Sequence, residues 1–382
     1  MPEGRYARIA QRTIGKPLAV ARAACRCVAL LACTSVAFTL AACSSRDAPS
    51  MVPSASFWQL GEHVEPLRIA SCPSGTAPER GVSVALDVSK VTLSDVDPDK
   101  DLPGAAFVAG WHLSSADPAF GGLSGLVAEP DGNLLAVSDE GAFVWIRMTD
   151  GTPSAARIAP MRDASGAVIA DKRWRDAEGL DLREGMAFVS FEREHRVLAF
   201  DLAGCGAAAR GVSVAQFGSR IAGLRDAMPA NGGAEGLALT EEGELLLAIE
   251  SPESGLPIAQ LDAMGTARLV GLIPRRGAPV LTGIDRAGAT LYAVLRSYTP
   301  LVGNVIEVVA LPLPGRESIL PARRILRLEP RHGTDNFEGI ALQRRGDSSL
   351  RLWLVSDDNF SSRQRTLLYA FDLRSPVQSS GS

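Results

Sequence analysis

From Gly81 onward, short runs of Val, Leu, Ile and Ala alternate with Gly, Asp, Asn and Pro turns, a pattern that predicts strands of a few residues joined by tight connections. No amphipathic helix longer than three turns is expected. Residues 43–80 are rich in Ser and Pro, lack helical periodicity and read as a tether entering irregular structure; residues 376–382 read as a disordered tail. The folded domain is therefore expected over residues 81–375.

Within it one design recurs: a small or acidic residue, Gly, an apolar alternation, a polar turn, then an apolar run ending in a charge. The copies are LSGLVAEPDGNLLAVSDE from Leu123, AEGLDLREGMAFVSFE from Ala177, AEGLALTEEGELLLAIE from Ala234, LTGIDRAGATLYAVLR from Leu281 and FEGIALQRRGDSSLRLWLVSDD from Phe337. Their glycines, Gly125, Gly179, Gly236, Gly283 and Gly339, are 54, 57, 47 and 56 residues apart, close to the roughly 50 of kelch repeats and enough for a four-stranded blade. Third strands follow in HRVLAFDL from His195 and TLLYAFDL from Thr366. The expectation is an all-β propeller, its last blade completed by a strand from Ala106 to Leu113. Five repeats are visible. Strand-like sequence from Gly81 to Val96 tilts the expected blade number to six, with five as the alternative.

In a propeller the first strand of each blade lines the central channel and the second runs back beside it, so the start of one and the end of the other meet at the same mouth. The residues before the repeated Gly are Ser124, Glu178, Glu235, Thr282 and Glu338; the second strands end at Asp139, Glu192, Glu250, Arg296 and Asp357, with Glu140, Asp358 and Asn359 adjacent. Carboxylates gathered this closely raise one another's pKa and call for cations. An oxygen-only set favours Ca²⁺ or Mg²⁺, and four scattered histidines (His63, His112, His195 and His332) without a zinc spacing argue against zinc. Asp139, Glu192, Glu250, Asp357 and Asp358 are the candidate metal ligands. Glu178, Glu235 and Glu338 are the candidate general bases. Arg193, Arg296, Asn359 and Arg363 are the candidate groups for a small anionic substrate, Arg296 also being placed to neutralise the acids. Backbone-capping roles for the same carboxylates are the alternative.

Charge and export signals narrow the setting. The chain carries a net −4, and its first 42 residues carry Arg5, Arg8, Arg12, Lys16, Arg22 and Arg26 against Glu3, which leaves −9 on the rest and disfavours nucleic acid as a partner. An uncharged stretch, Val28 to Ala42, follows, as in a secretory signal. Its ending, Leu40-Ala41-Ala42-Cys43, resembles the bacterial lipobox, which implies lipidation of Cys43 and, with Ser44 next, an outer-membrane anchor on the periplasmic side of a Gram-negative cell. Cys72 and Cys205 then remain in the domain, expected as one disulfide, with two separate thiols as the alternative. A monomer is expected.

The blocks FGGLSGLVAEPDGNLLAVSDEG, DAEGL, NGGAEGLAL, FEREHRVLAFDL, and DNFEGIAL followed by LWLVSDDNFSSRQRTLLYAFDL resemble the bacterial phytase-like family, "esterase-like activity of phytase", over about Gly121 to Leu373. Asp335, Asn336, Glu338, Ser356, Asp357, Asp358, Asn359, Phe360, Gln364 and Thr366 carry the most specific part of the likeness. The resemblance implies an exported propeller and phosphoester or ester hydrolysis. Serine-esterase chemistry has little support, since Gly122-Leu123-Ser124-Gly125 is not a nucleophile elbow. A non-catalytic binding or scaffold propeller holding a structural ion is the rival expectation.

Overall fold

The computed structural model describes residues 57–374 other than 230, 252 and 316–318. The signal-like start, Cys43 and the tail from 376 lie outside the described residues. Among the described residues no helix is long and apolar enough to cross a membrane.

The strands form five antiparallel sheets. From the inside outward, blade one is Leu123–Ala128, Leu134–Ser138, Ala142–Thr149 and Thr152–Pro160; blade two is Ala177–Arg183, Met186–Phe191, Arg196–Asp201 and Val212–Gln216. Blade three is Ala234–Leu239, Leu245–Ile249, Gly255–Leu261 and Ala267–Pro274, and blade four is Val280–Ala287, Thr290–Thr299, Gly303–Pro312 and Arg323–Leu328. Blade five combines Phe337–Arg344, Leu350–Ser356 and Thr366–Leu373 with Ala105–Ser114 from the other end of the chain, so the ring closes by strand pairing, Leu368 opposite Trp111. Each innermost strand touches those of both neighbouring blades, and the fifth touches the first. The fold is a five-bladed β-propeller.

The blade number is thus five, the alternative, rather than six. The stretch from Gly81 to Val96 holds no glycine-led inner repeat and supplies only edge strands: Val82–Val84 extends blade one and Asp87–Val91 extends blade five. A second difference lies before the propeller. Leu60–Ser71 is an α-helix where irregular structure is expected; it buries only Leu60, Leu67 and Ser71, too sparse a face to read from sequence. Tertiary contacts hold it instead: Leu60 N donates to Gly243 O (3.0 Å), and Ser71 Oγ donates to Arg210 O (2.7 Å) and accepts from Asp201 N (2.8 Å). At its end Cys72 is disulfide-bonded to Cys205, Cα atoms 5.6 Å apart, tying the helix to blade two.

Hydrophobic packing lies between blades. Each of five buried clusters is shared by two neighbouring sheets, as in Phe188, Val197, Leu237 and Leu247 between blades two and three, and Trp111, Trp353, Leu126 and Leu134 between blades five and one. Because both faces of a sheet are covered, second strands such as Leu134–Ser138 and Met186–Phe191 are buried at every residue, and their sequences read as unbroken apolar runs. At the centre the repeated glycines let the innermost strands meet backbone to backbone. A Cβ at Gly125 would stand 2.5 Å from Glu178 O, one at Gly179 2.7 Å from Leu237 N, and one at Gly236 2.6 Å from Ile284 N. Only a void of about 10 Å³ remains among them, so the channel is pinched shut at this level.

Gly236→Ala is therefore expected to lower stability by about 1–3 kcal/mol through overpacking. Gly346→Ala, with nothing within 4 Å, should be nearly neutral. Chemical denaturation of the two variants checks this; equal midpoints would contradict the tight central contact.

Candidate functional site

One local device positions the site. At the start of the innermost strand the ladder register slips in every blade: between Leu123 and Gly125, Ala177 and Leu180, Ala234 and Gly236, Leu281 and Gly283, and Phe337 and Gly339. Such a bulge leaves a residue unpaired and re-aims its side chain. The residues so displaced include Ser124, Glu178, Glu235, Thr282 and Glu338, immediately before the ring glycines.

A second circle of positions lies at the ends of the second strands. Asp139 N donates to Gly122 O, Glu192 N to Asp176 O and Glu250 N to Gly233 O, each at 2.9 Å, and Asp357 N to Asn336 O at 3.0 Å; Arg296 pairs with Val280 in the same place. Asp357 reaches its position despite the longer turn before it, because Arg344 and Leu350 pair across that turn.

The acids lie in one another's field. Burial is the main cause that raises Glu178 well above the ordinary carboxylate range, with repulsion from Glu235, Glu338, Asp176 and Glu192 adding to it. Glu235 is raised well above that range by burial and then by Glu250 and Glu192, while Glu338 is raised by burial against the opposing pull of Arg296. Burial, then Asp176, pushes Glu192 up to about 8; burial, then Glu338, pushes Asp357 up to about 8. Burial also raises Asp139 and Glu250.

Cations from the chain offset part of this charge. Lys172, on the short helix Lys172–Arg175, places Nζ 2.9 Å from Asp139, 2.8 Å from Asp176 and 3.4 Å from Glu140. Arg175 pairs with Glu140, Arg193 with Asp176, and Arg296 with Glu338 at 3.5 Å. Asn336 Nδ2 donates to Glu338 at 2.9 Å. Asp176, Glu178 and Glu192 each offer one oxygen within 4.8 Å of the others, and Asp139 Oδ1 is buried without a hydrogen-bond partner. This all-oxygen set fits a hard divalent cation.

Several assignments change at this level of detail. Asp358 is a backbone cap: its carboxylate accepts from Gly122 N (2.9 Å), Phe360 N (3.0 Å) and Thr366 Oγ1 (2.9 Å), which leaves it little capacity for an ion. Asn359 is exposed in a left-handed conformation and meets the site through its backbone, N donating to Asp357 at 2.6 Å. Arg363 is exposed and makes no ion pair among the described residues, whereas Arg365 pairs with Asp335. Arg296 stands as a neutraliser of Glu338. His332 is fully buried, its Nδ1 accepting from Glu329 N at 3.0 Å. Asp176, Lys172 and Arg175 are the site residues missing from the sequence reading. Asp176 stands two residues before Glu178, where the other blades have Gly122, Gly233, Val280 and Asn336, so no repeated acid drew notice to it.

The raised carboxylates fix a pH dependence. Glu192 and Asp357 hold protons in the fold up to about pH 8 that they lose near pH 4 to 5 when unfolded, so without divalent ions stability is greatest at the acid end of that window and falls as pH rises through it. His195, its pKa lowered by burial, opposes this only below its ordinary value of about 6.5. Thermal melting in chelator is expected to show Tm falling from pH 5.5 to pH 8.5, with calcium flattening the slope; a rising Tm would contradict the crowding of these acids.

A search of curated proteins returned no match. Among solved structures, an oxidoreductase of glucose dehydrogenase type from Thermus thermophilus is 11% identical, covering 75% of this chain and 100% of its own, with TM-score 0.38. The pyrroloquinoline quinone domain of pyranose dehydrogenase from Coprinopsis cinerea is 12% identical over 78% and 99% of the two chains, with TM-score 0.38, and an endo-arabinase from Bacteroides thetaiotaomicron is 11% identical over 68% and 95%, with TM-score 0.41. The family described as "esterase-like activity of phytase" matches residues 118–360, which hold the inner strands and acid positions of all five blades, and the chain belongs to this phytase-like family.

Proposed function

We propose that the acidic mouth binds a hard divalent cation, Ca²⁺ in preference to Mg²⁺, and that the protein uses it to hydrolyse a small anionic ester, a phosphoester first among them. The observation that carries this reading is the trio Asp176, Glu178 and Glu192 with converging oxygens, beside the unpartnered Asp139 Oδ1. Ca²⁺ tolerates irregular carboxylate shells of six to eight oxygens better than Mg²⁺ does.

The family's name supports ester or phosphoester chemistry as the class of reaction. A bound cation would supply electrostatic stabilisation of the charge that develops on the ester oxygens. The chain's own groups divide the remaining work. Glu338 is engaged by Arg296 and Asn336 and serves to hold the mouth's geometry. Glu235 has one oxygen fixed by Gly233 N at 2.8 Å and makes no ion pair among the described residues; a cation bound in the mouth would favour its ionised form against the burial and repulsion that otherwise keep it protonated, leaving the other oxygen to accept a proton from an attacking water, and it is the general base in this reading. Arg193 lies at the rim, where an ester oxygen would arrive. We further propose that the chain works as a monomer outside the cytoplasm, anchored to the outer membrane through Cys43. The Cys72–Cys205 disulfide supports an oxidising compartment.

Hydrolysis of aryl phosphates and aryl esters by the protein, with calcium and with chelator, tests the proposal. Turnover should require calcium. Glu235→Gln should lower it about 10²- to 10⁴-fold, the usual contribution of a general base, in a protein that still binds calcium and melts as a folded domain. Asp176→Asn should lose calcium binding. Chelator-insensitive turnover, or full activity in Glu235→Gln, would overturn the catalytic assignment; calcium-dependent melting without turnover would leave a binding module.

A further inference from the structure

Beside the acidic mouth, on the outer side of Arg193, lies a cleft of about 700 Å³ of the opposite character. Lys172, Arg173 and Arg193 line it on one side, His195 and Phe217 form a stacked pair with ring centroids 6.3 Å apart and planes 4° from parallel, and the buried Met228 adds an apolar wall. Glu194, paired with Arg173, is the one acid among the lining residues.

His195 is the most informative of them. It is only 7% exposed, and its Nδ1 is buried against Gly233 without a hydrogen-bond partner. A proton on Nδ1 would be a buried donor with no acceptor, which folding disfavours, so the neutral ring carries its proton on Nε2, the nitrogen left to face the cleft. A buried imidazole thus presents an N–H donor into a space rimmed by three cations, above an aromatic ring. That combination recognises an oxyanion on an apolar body.

Two of the cations are shared with the mouth. Asp176 holds Lys172 at 2.8 Å on one oxygen and Arg193 on the other. An ion that takes Asp176 competes with both: Lys172 keeps Asp139 and Glu140, whereas Arg193 is freed to turn toward the cleft.

The geometry points to a second, cationic subsite next to the mouth, which binds an organic oxyanion such as an aryl phosphate or phosphonate, and whose affinity rises when a divalent cation occupies Asp176. The subsite stands on the cleft's own residues; its coupling to the mouth rests on the cation reading above. Coupling of this kind is reciprocal, so the anion would raise cation affinity by the same factor.

Calorimetric titration of phenylphosphonate into the whole protein, in chelator and in calcium, with calcium titrated alone as a separate measurement, tests both parts. One molecule should bind in chelator; in calcium the site that depends on Arg173 and His195 should bind at least tenfold more tightly, counted apart from a second molecule held at the mouth. Arg173→Ala and His195→Phe should each weaken binding about tenfold or more in both conditions without altering calcium affinity or Tm, and His195→Gln, which keeps an N–H donor, should retain it. No saturable binding in either condition, or unchanged binding in Arg173→Ala and His195→Phe, would overturn the subsite. Calcium binding with equal phenylphosphonate affinity in both conditions would overturn the coupling. Failure of calcium alone to bind would remove the cation reading while the chelator titration still decides the cleft.

Discussion

Close backbone contact between innermost strands is the constraint on which the molecule depends. Each strand can reach its neighbour only because glycine follows the bulge, and the same bulge displaces the preceding side chain toward the mouth. Ring closure and site assembly are consequences of one local geometry. A side chain at Gly125, Gly179 or Gly236 would push apart the backbones that carry Glu178 and Glu235.

Such convergence has an electrostatic cost. Three blades bring glutamates to positions where burial and mutual repulsion disfavour their charged forms, and the fold meets part of that cost with Lys172, Arg175, Arg193 and Arg296. The compensation is uneven. It is concentrated around Asp139, Glu140, Asp176 and Glu338, and it leaves Glu235 without an ion pair among the described residues and Asp139 Oδ1 without a partner. Acids left only partly neutralised, with oxygens that could hold a metal ion, differ in this from structural caps such as Asp358.

The strands and the ring were legible in the sequence because both rest on repetition: alternating or unbroken apolar runs, and glycines at a near-constant interval. Even the strand that closes blade five, Ala105–Ser114, was readable, since the last repeat ends one strand short. Apart from the Cys72–Cys205 disulfide, which the cysteine count brings out, features that occur once were not. Leu60–Ser71 is helical through contacts with blades two and three rather than through its own pattern, and the edge strands Val82–Val84 and Asp87–Val91 look in sequence like parts of another blade. The site follows the same division. Glu178, Glu235 and Glu338 announce themselves by recurring before Gly, whereas Asp176 and Lys172 belong to blade two alone, and the capping role of Asp358 depends on Gly122, 236 residues away.

An anomalous-difference map from crystals grown with calcium addresses the central claim most directly. The account predicts a peak within about 2.3–2.6 Å of carboxylate oxygens of Asp176, Glu178 and Glu192, with Lys172 withdrawn from Asp176. A map with no peak in the mouth, and Lys172 still bridging Asp139 and Asp176, would contradict it.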